Sequence, residues 1–375
     1  MGDRPHVRMV CPAHRESGAP LGRPFADEVL ALGKALGPVG ESLLGLFHGV
    51  RGGIDVLRKR RPLAERFRLS EAFLLALRTG LDSRDMLALR GAGHTDLSAL
   101  EGTVPRARRR EHREWNNCQV AAARVDDKLL CGASVRAAGI AAPFQVPLDR
   151  DTRVLGDPDT GELRFSSGQD GELWMLKDRF GLQGESVWIA RAGVPDSPGP
   201  ASGPAAHIGA LVAQDRILAQ ELLRPAAWFA EQGDTALPTV RVVTSRLSGR
   251  TETIGTVLFR GAPGAVAAHR RHGGTAHVIA EDGTCGPGID RWGRQHAGRR
   301  YRFGGKDIAA LTGMCTEAHD LFPCLGTVGW DVGVSERGLF LLEGNPNWGM
   351  NVPQLLPGRP MLQEFRRSGF RTGRE

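Results

Sequence analysis

Residues 341–351 read LLEGNPNWGMN, and the apolar run Leu339 to Leu342 leads directly into a carboxylate, Glu343, followed by Gly344, Asn345 and Asn347. A buried strand that ends in oxygen donors raises the question of what those oxygens hold. The longer stretch CLGTVGWDVGVSERGLFLLEGN (324–345) reads as a β-hairpin. Side chains alternate along a strand, so the odd-numbered residues from Leu339 to Asn345 are expected on one face, with Glu343 and Asn345 about 7 Å apart. If Glu336-Arg337-Gly338 forms a three-residue loop with Gly338 in the left-handed position, Asp331 falls opposite Glu343. Two carboxylates and an amide oxygen then converge, and a cation between them relieves their repulsion. Hard oxygen donors suit Mg²⁺ or Mn²⁺ rather than zinc. The alternative is that Glu343 caps a turn and Asn345 makes an ordinary loop hydrogen bond.

Cations are the second chemical feature. Of 49 basic residues only five are Lys, namely Lys34, Lys59, Lys128, Lys177 and Lys306; the rest are Arg. A lysine kept against that bias is a candidate for a site that needs a compact point charge, such as a phosphate site. Lys177 ends an apolar strand and precedes a loop, Asp178 to Gly184, that carries Gly181 and Gly184. Such a loop can lay backbone N–H groups and one ammonium against phosphates. It can equally be an ordinary hairpin turn beside a surface lysine. Lys128, on the preceding helix, is a weaker candidate of the same kind. In TVRVVT (239–244), Arg241 lies between Val240 and Val242, so it leaves the apolar layer and enters whatever the sheet covers, or else solvent.

These side chains need positioning elements. VDDKLLCGASVRAAGIAAPFQVP (125–147) predicts a helix capped by Asp126 or Asp127, with Leu129, Leu130, Val135 and Ala138 as its apolar side, ending at Gly139 before Pro143. ELWMLKDRFGLQGESVWIA (172–190) predicts a β-hairpin. RILAQELL (216–223), LPTVRVVTSRLSG (237–249) and RTETIGTVLFRG (250–261) predict further strands, the last two as antiparallel partners. GVPDSPGPASGP (193–204) reads as a Pro/Gly/Ser connector. Antiparallel strands with flanking helices make the fold class α+β. Upstream, residues 1–115 read as helical and irregular. Residues 26–50 have helical spacing broken at Gly37-Pro38, and LSEAFLLALRTG (69–80) opens with Ser70 as a candidate N-cap and closes on Gly80.

The chain has 375 residues, enough for two or three folding units. It carries 41% hydrophobic and 24% charged residues, as soluble proteins do. No apolar run approaches the roughly 18 residues of a membrane helix. The N-terminus lacks an apolar signal region, so a cytoplasmic location is expected. Net charge is +7, which raises the possibility of a nucleic-acid partner. The excess gathers in Arg58 to Arg61 and in Arg106 to Arg113, without interleaved aromatic residues to stack bases, and this argues for solvated or anion-facing surfaces instead. Six cysteines (Cys11, Cys118, Cys131, Cys285, Cys315, Cys324) show no CxxC pair and no zinc spacing, and read as scattered reduced thiols.

Taken in order, DDKLL…AAGIAAP, LWMLKDRFGLQGESV, ILAQELL, LPTVRVVT and GWDVGVSERGLFLLEGNPNWG resemble the ATP-grasp superfamily over roughly residues 116–352. The branch associated with sugar transfer, where T-x-R-x-x-T and G-W-D…E-G-N recur, is the nearest in pattern. The resemblance implies two α+β subdomains clasping ATP, here expected over 116–204 and 205–375, after an N-terminal region (1–115) of unassigned role. It implies that Lys128, Lys177 and the loop glycines Gly181 and Gly184 meet phosphates, and that Gln220, Glu221 and Leu222 form a hinge against the adenine edge. It further implies that Arg241 faces the transferred phosphoryl group or an acceptor carboxylate, and that Asp331, Glu343 and Asn345 hold one or two Mg²⁺. The chain departs from the pattern at Asp178, where the family usually has Pro, and in a loop less rich in glycine. Gly273-Gly274 is family-like but follows Arg270, Arg271 and His272, a cationic run that either receives an acidic acceptor or is solvated. The implied activity is a ligase that activates a carboxylate as an acyl phosphate and joins it to an amine, with no membrane span and no nucleic acid involved. Some relatives are kinases, which leaves a phosphotransferase as the alternative. A basic nucleic-acid-binding or scaffold protein is the alternative from another class.

Overall fold

The computed structural model describes residues 37–58, 68–91, 117–156, 162–166, 171–181, 186–193, 203–246, 249–292, 294–296 and 301–348. The fold is α+β and is built on two sheets. Gly184, Arg106 to Arg113 and Cys11 lie outside the described residues.

The first sheet has six strands, β1 (Gln145–Pro147), β2 (Val154–Gly156), β3 (Leu163–Phe165), β4 (Leu173–Asp178), β5 (Val187–Ala192) and β6 (Ile217–Glu221), in the order β1-β6-β4-β5-β3-β2. The expected 172–190 hairpin is the antiparallel pair β4–β5. Trp174 and Leu176 on β4 and Ala219 on β6 turn one face toward an apolar cluster, where helix α6 (Gly203–Val212) contributes Ile208, Leu211 and Val212. Alternation sends Met175, Lys177, Leu218, Gln220 and Gln145 to the opposite face.

The second sheet is antiparallel throughout. It contains β7 (Thr239–Ser245), β8 (Glu252–Arg260), β9 (Thr275–Val278), β10 (Gly288–Ile289), β11 (Gln295–His296), β12 (Thr327–Ser335) and β13 (Gly338–Asn345), in the order β11-β10-β9-β8-β7-β12-β13. Val240, Val242, Leu258, Val328, Trp330, Val332 and Leu341 form its core face, covered by helix α8 (Gly305–Asp320) through Leu311, Cys315 and Ala318. Helices α4 (Gln119–Asp126) and α5 (Lys128–Ala137) add Val125, Cys131 and Val135 to this core. The opposite face carries Arg241, Asp331 and Val257. Over β8–β10 that face is covered by α1 (Gly37–Arg58), α2 (Leu69–Thr79) and α3 (Ser83–Gly91), through Val56, Leu75, Met86 and Leu89. The short α7 (Ala227–Glu231) places Phe229 in the core beside Tyr301.

β6 belongs to the first sheet, while α4 and α5 belong to the core of the second. Several expectations are corrected. On α5 the cap is Asp127, whose carboxylate accepts from the Leu129 and Leu130 backbone N–H groups. Its buried side is Lys128, Cys131, Gly132 and Val135, and Leu130 is 43% exposed. Arg68, not Ser70, precedes α2, without a side-chain cap; Gly80 closes it at φ 77° as expected. Gly37-Pro38 opens the described part of α1, and the residues before it in 26–50 lie outside the described residues.

The last hairpin differs in mechanism but not in outcome. Ser335 pairs with Gly338, so the turn has two residues, Glu336 and Arg337. That register alone would set Asp331 against Leu342. A bulge at Leu342 shifts it, and Asp331 pairs with Glu343 after all. The bulge also flips the alternation. Leu339 and Leu341 stay with the core, while Glu343 and Asn345 turn to the face of Asp331, so the odd-numbered residues do not share one face.

Candidate active site between the two sheets

On the second sheet three adjacent strands each place a charged side chain on the same face, because β12 pairs Asp331 with Arg241 on β7 and with Glu343 on β13. Arg241 grips Asp331 with two bonds, Nε to Oδ1 at 2.7 Å and Nη2 to Oδ2 at 2.6 Å. Phe259 lies against its guanidinium. Asn345 Nδ2 donates to both Asp331 Oδ2 and Glu343 Oε1 at 3.3 Å. Gly329 on the same face leaves room for Trp348: a Cβ there would meet Trp348 Cβ at 2.6 Å.

The first sheet faces this cluster with Lys177. Its ammonium donates to Gln220 Oε1 at 3.1 Å, and Gln145 Nε2 donates to the same oxygen at 3.2 Å. Lys128, at the first turn of α5, is buried. It donates to the Gly181 carbonyl and stands 3.6 Å from Glu343 Oε2.

Electrostatics tie the two faces together. Burial lowers the Lys177 pKa to about 8, with Lys128 adding to the fall and Glu343 and Asp331 opposing it. Burial raises Asp331, against the pull of Arg241, and the charge of Glu343 raises it further. For Glu343 burial also acts upward, but Lys128, Lys177 and Arg241 outweigh it and hold the carboxyl below its ordinary value. Asp126, at the end of α4, is pushed up to about 6 by burial, with Lys128 opposing and Glu343 reinforcing.

Several contributors have no motif of their own. Asn117 accepts from the Gly326 and Thr327 N–H groups, each at 3.0 Å, and donates to the Thr327 and Pro346 carbonyls at 2.9 and 3.2 Å. It thereby ties the start of β12 to the residue after Asn345. Trp348 Nε1 donates to Thr327 Oγ1 at 3.1 Å. Behind the site, Trp330 Nε1 donates to Thr244 Oγ1, which stands 2.7 Å from His319 Nδ1. Asp178, where the sequence departs from Pro, accepts two bonds from Arg216, while Arg179 grips Asp127 with two more. The loop that follows Lys177 is thus fixed at its root by two ion pairs. None of these pairs could be found from spacing, since their partners lie 38 and 52 residues apart.

The structure therefore brings Lys128, Lys177, Gly181, Gln220, Arg241, Asp331, Glu343 and Asn345 together. Glu221 sits at the crossing between the sheets, where its carboxylate accepts from Phe144 N and Arg337 Nη1, so its side chain pins the hairpin turn. Leu222 follows β6 at that crossing and is half-buried. Arg270 lies elsewhere, with its guanidinium turned onto the Asp290 carbonyl. Gly273 adopts φ 82° at the β8–β9 turn, and Gly274 is needed there because a Cβ would run into the Arg260 and His269 carbonyls. The side chain of Arg271 is outside the described residues.

Among the described residues there is no group of three His, Cys, Asp or Glu arranged to hold a metal ion. The donor set at this point is two carboxylates and one amide. Its carboxylate oxygens are hard donors, the Asn345 amide turns its Nδ2 toward both of them, the set is surrounded by cations in excess, and both Asp331 oxygens are engaged by Arg241. A carboxylate has spare lone pairs beyond those Arg uses, and rotating the Asn345 amide would present its oxygen, so the set fits Mg²⁺ or Mn²⁺.

No family model matches the chain, and no curated protein does. Solved structures to which it is similar are ATP-grasp proteins and ligases. They include an ATP-grasp superfamily protein of Archaeoglobus fulgidus (13% identity, TM-score 0.33, 64% of this chain and 50% of that one). D-alanine–D-alanine ligase of Bacillus anthracis (9%, 0.39, 69% and 66%) and biotin carboxylase of Campylobacter jejuni (11%, 0.41, 67% and 47%) are two more. The chain spans about half to two thirds of the length of these structures. Likeness of this degree carries no functional argument, so function is argued from the side chains.

Proposed function

We propose that the chain is an ATP-grasp enzyme that binds magnesium-ATP between its two sheets and uses it to activate a carboxylate for attack by an amine. The observation that carries this reading is the meeting of Lys177 on the first sheet and Lys128 at the start of α5 with Asp331, Glu343 and Asn345 on the second sheet. The two lysines offer compact cations and the second sheet offers hard oxygens. A polyphosphate needs the first, and its divalent counter-ion needs the second.

In this reading Lys177 and Lys128 bind phosphate oxygens, with the Gly181 backbone beside them, and Gln220 to Leu222 bound the nucleotide at the crossing between the sheets. Asp331, Glu343 and Asn345 hold Mg²⁺ or Mn²⁺, which neutralises phosphate charge when bound. Arg241 faces the acceptor oxygen that takes the phosphoryl group. The acceptor carboxylate bonds to the γ-phosphorus, ADP leaves, and an amine then displaces phosphate to form an amide. Positioning and charge neutralisation supply the catalysis, so no protein nucleophile is required. Arg270, Arg271, Gly273 and Gly274 are candidates for a more distant acceptor contact.

Incubation with ATP, Mg²⁺ and a panel of amino acids tests the reading. A ligase releases ADP and phosphate only when both acceptor and amine are present. ADP with a phosphorylated single substrate would instead establish a phosphotransferase.

A further inference from the structure

The five cysteines among the described residues fall into two groups. Cys131, Cys285 and Cys315 are buried in the second sheet's core. Burial pushes the first two thiols up to about 12 and the third well above its ordinary value, which leaves them unreactive, since the thiolate is the reacting species. Cys118 and Cys324 are exposed. They are 206 positions apart in sequence, and each follows or precedes one partner of a backbone bridge that brings them side by side. Asn117 and Leu325 form an isolated antiparallel bridge, and the Cys118 N–H donates to the Cys324 carbonyl at 3.1 Å.

Opposed residues in an antiparallel pair send their side chains to the same side, with Cβ atoms about 4.5–5.5 Å apart. A full hydrogen-bonded pair, with both bonds exchanged, has Cα atoms about 5.5 Å apart, inside the 4.4–6.8 Å window of a disulfide; Cys118 and Cys324 share one of those two bonds. A small approach of the two backbones suffices to join the sulfurs, and an isolated bridge at the start of α4 yields to it more readily than a long ladder.

We propose that Cys118 and Cys324 are a reversible redox pair, joined by a disulfide under peroxide or a low-molecular-weight disulfide and reopened by a dithiol. With hydrogen peroxide, the two thiols lose two electrons and two protons, one S–S bond forms, the O–O bond breaks, and two water molecules leave. With a small disulfide, one thiolate attacks it to give a mixed disulfide and the other cysteine displaces the second half, so two small thiols are released. The bond tethers the start of α4 to the lead-in of β12. It lies next to Asn117, which holds Gly326, Thr327 and Pro346. Closing it stiffens the segment that delivers Asp331 and the segment that follows Asn345. Only this last consequence rests on the proposed role of those carboxylates; the disulfide itself does not.

The test uses the full chain carrying Cys11→Ser and no nucleotide, so its failure is separate from failure of the ATP reading. After treatment with hydrogen peroxide, quenching and alkylation, two thiols per chain should be lost and a cross-linked peptide containing Cys118 and Cys324 should appear, lighter by two hydrogen atoms than its reduced parts. The oxidised chain should melt several degrees higher, and a dithiol should reverse both changes. Cys118→Ser and, independently, Cys324→Ser should abolish the cross-link and the shift. Disulfide-linked dimers through these residues, sulfinic acid on either one, or unchanged thiol counts would overturn the proposal.

Discussion

The two faces of the site solve opposite problems. On the first sheet, Lys177 is buried against amides and forms no ion pair among the described residues, and its pKa falls to about 8. On the second, Arg241, Asp331, Glu343 and Asn345 satisfy one another. The first face holds an unneutralised charge that becomes favourable once an anion arrives. The second holds charges that are already paired and must re-partner when a cation arrives. A ligand that is both polyanion and cation complex suits the pair of faces better than either ion alone.

Breaking the paired face should cost most. Arg241→Ala leaves Asp331 as a buried, uncompensated carboxylate, and the expected loss is about 3–5 kcal/mol of unfolding free energy. Arg241→Met combined with Asp331→Leu should recover most of that loss while abolishing turnover. Urea unfolding of the three proteins measures the difference, and equal losses in single and double variants would mean that the pair is not coupled.

Asn117→Ala attacks the same face from behind. Four hydrogen bonds disappear and two backbone N–H groups lose their acceptor, for an expected cost of about 2 kcal/mol. If Asn117 positions the end of β13, the Mg²⁺ concentration needed for half-maximal turnover should rise as well. A stability loss with an unaltered magnesium curve would make its role structural alone.

On the unpaired face, Lys177→Arg keeps the charge but brings a planar fork to a site shaped for an ammonium. Turnover should fall at least about tenfold, roughly 1.4 kcal/mol on the barrier. Lys177→Met should lower turnover further and yet raise the melting temperature of the nucleotide-free protein, because it removes a desolvated charge. A melting temperature lower than wild type would contradict the contrast between the faces.

The smallest effect is in pH. The Lys177 pKa is about 8 in the folded chain against 10.5 for an ordinary lysine. Between those values the unfolded state binds more protons, so this group's contribution to stability rises with pH over that window and is constant below it. Lys177→Met should flatten that rise in denaturation midpoints measured from pH 7.5 to 10. Phosphate binding restores the charge, so nucleotide affinity should fall, with proton uptake on binding, as pH rises past 8.

The sequence made the second face more legible than the scaffold around it. Glu343, Asn345 and Asp331 announce themselves because oxygen donors at the end of an apolar strand are conspicuous, and the pairing of Asp331 with Glu343 follows from a short hairpin. The bulge at Leu342 was hidden, since a two-residue turn plus one extra residue gives the same pairing at Asp331 as a three-residue loop. Lys177 stood out through the scarcity of lysine. The bidentate grip of Arg241 on Asp331 could not be read, because it depends on β7 lying beside β12, a contact across 90 residues. Asn117 and the Asp178–Arg216 pair were invisible for the same reason: polar groups that serve long-range contacts carry no local period. The placement of α1–α3 over β8–β10 was equally out of reach, because amphipathic helices reveal that they need a partner surface but not which one.

The most direct test of the joint site is thermal melting with ATP, Mg²⁺, both together, and both with excess chelator. Linkage at one hundred times the dissociation constant stabilises the native state by about 2.7 kcal/mol. The expected result is a clear rise in melting temperature with ATP and Mg²⁺ together, a weak one with ATP alone or with chelator, and loss of the magnesium-dependent part in Glu343→Gln. A rise of equal size with chelator present, or an undiminished magnesium effect in Glu343→Gln, would contradict the assignment of these carboxylates to a metal–nucleotide site.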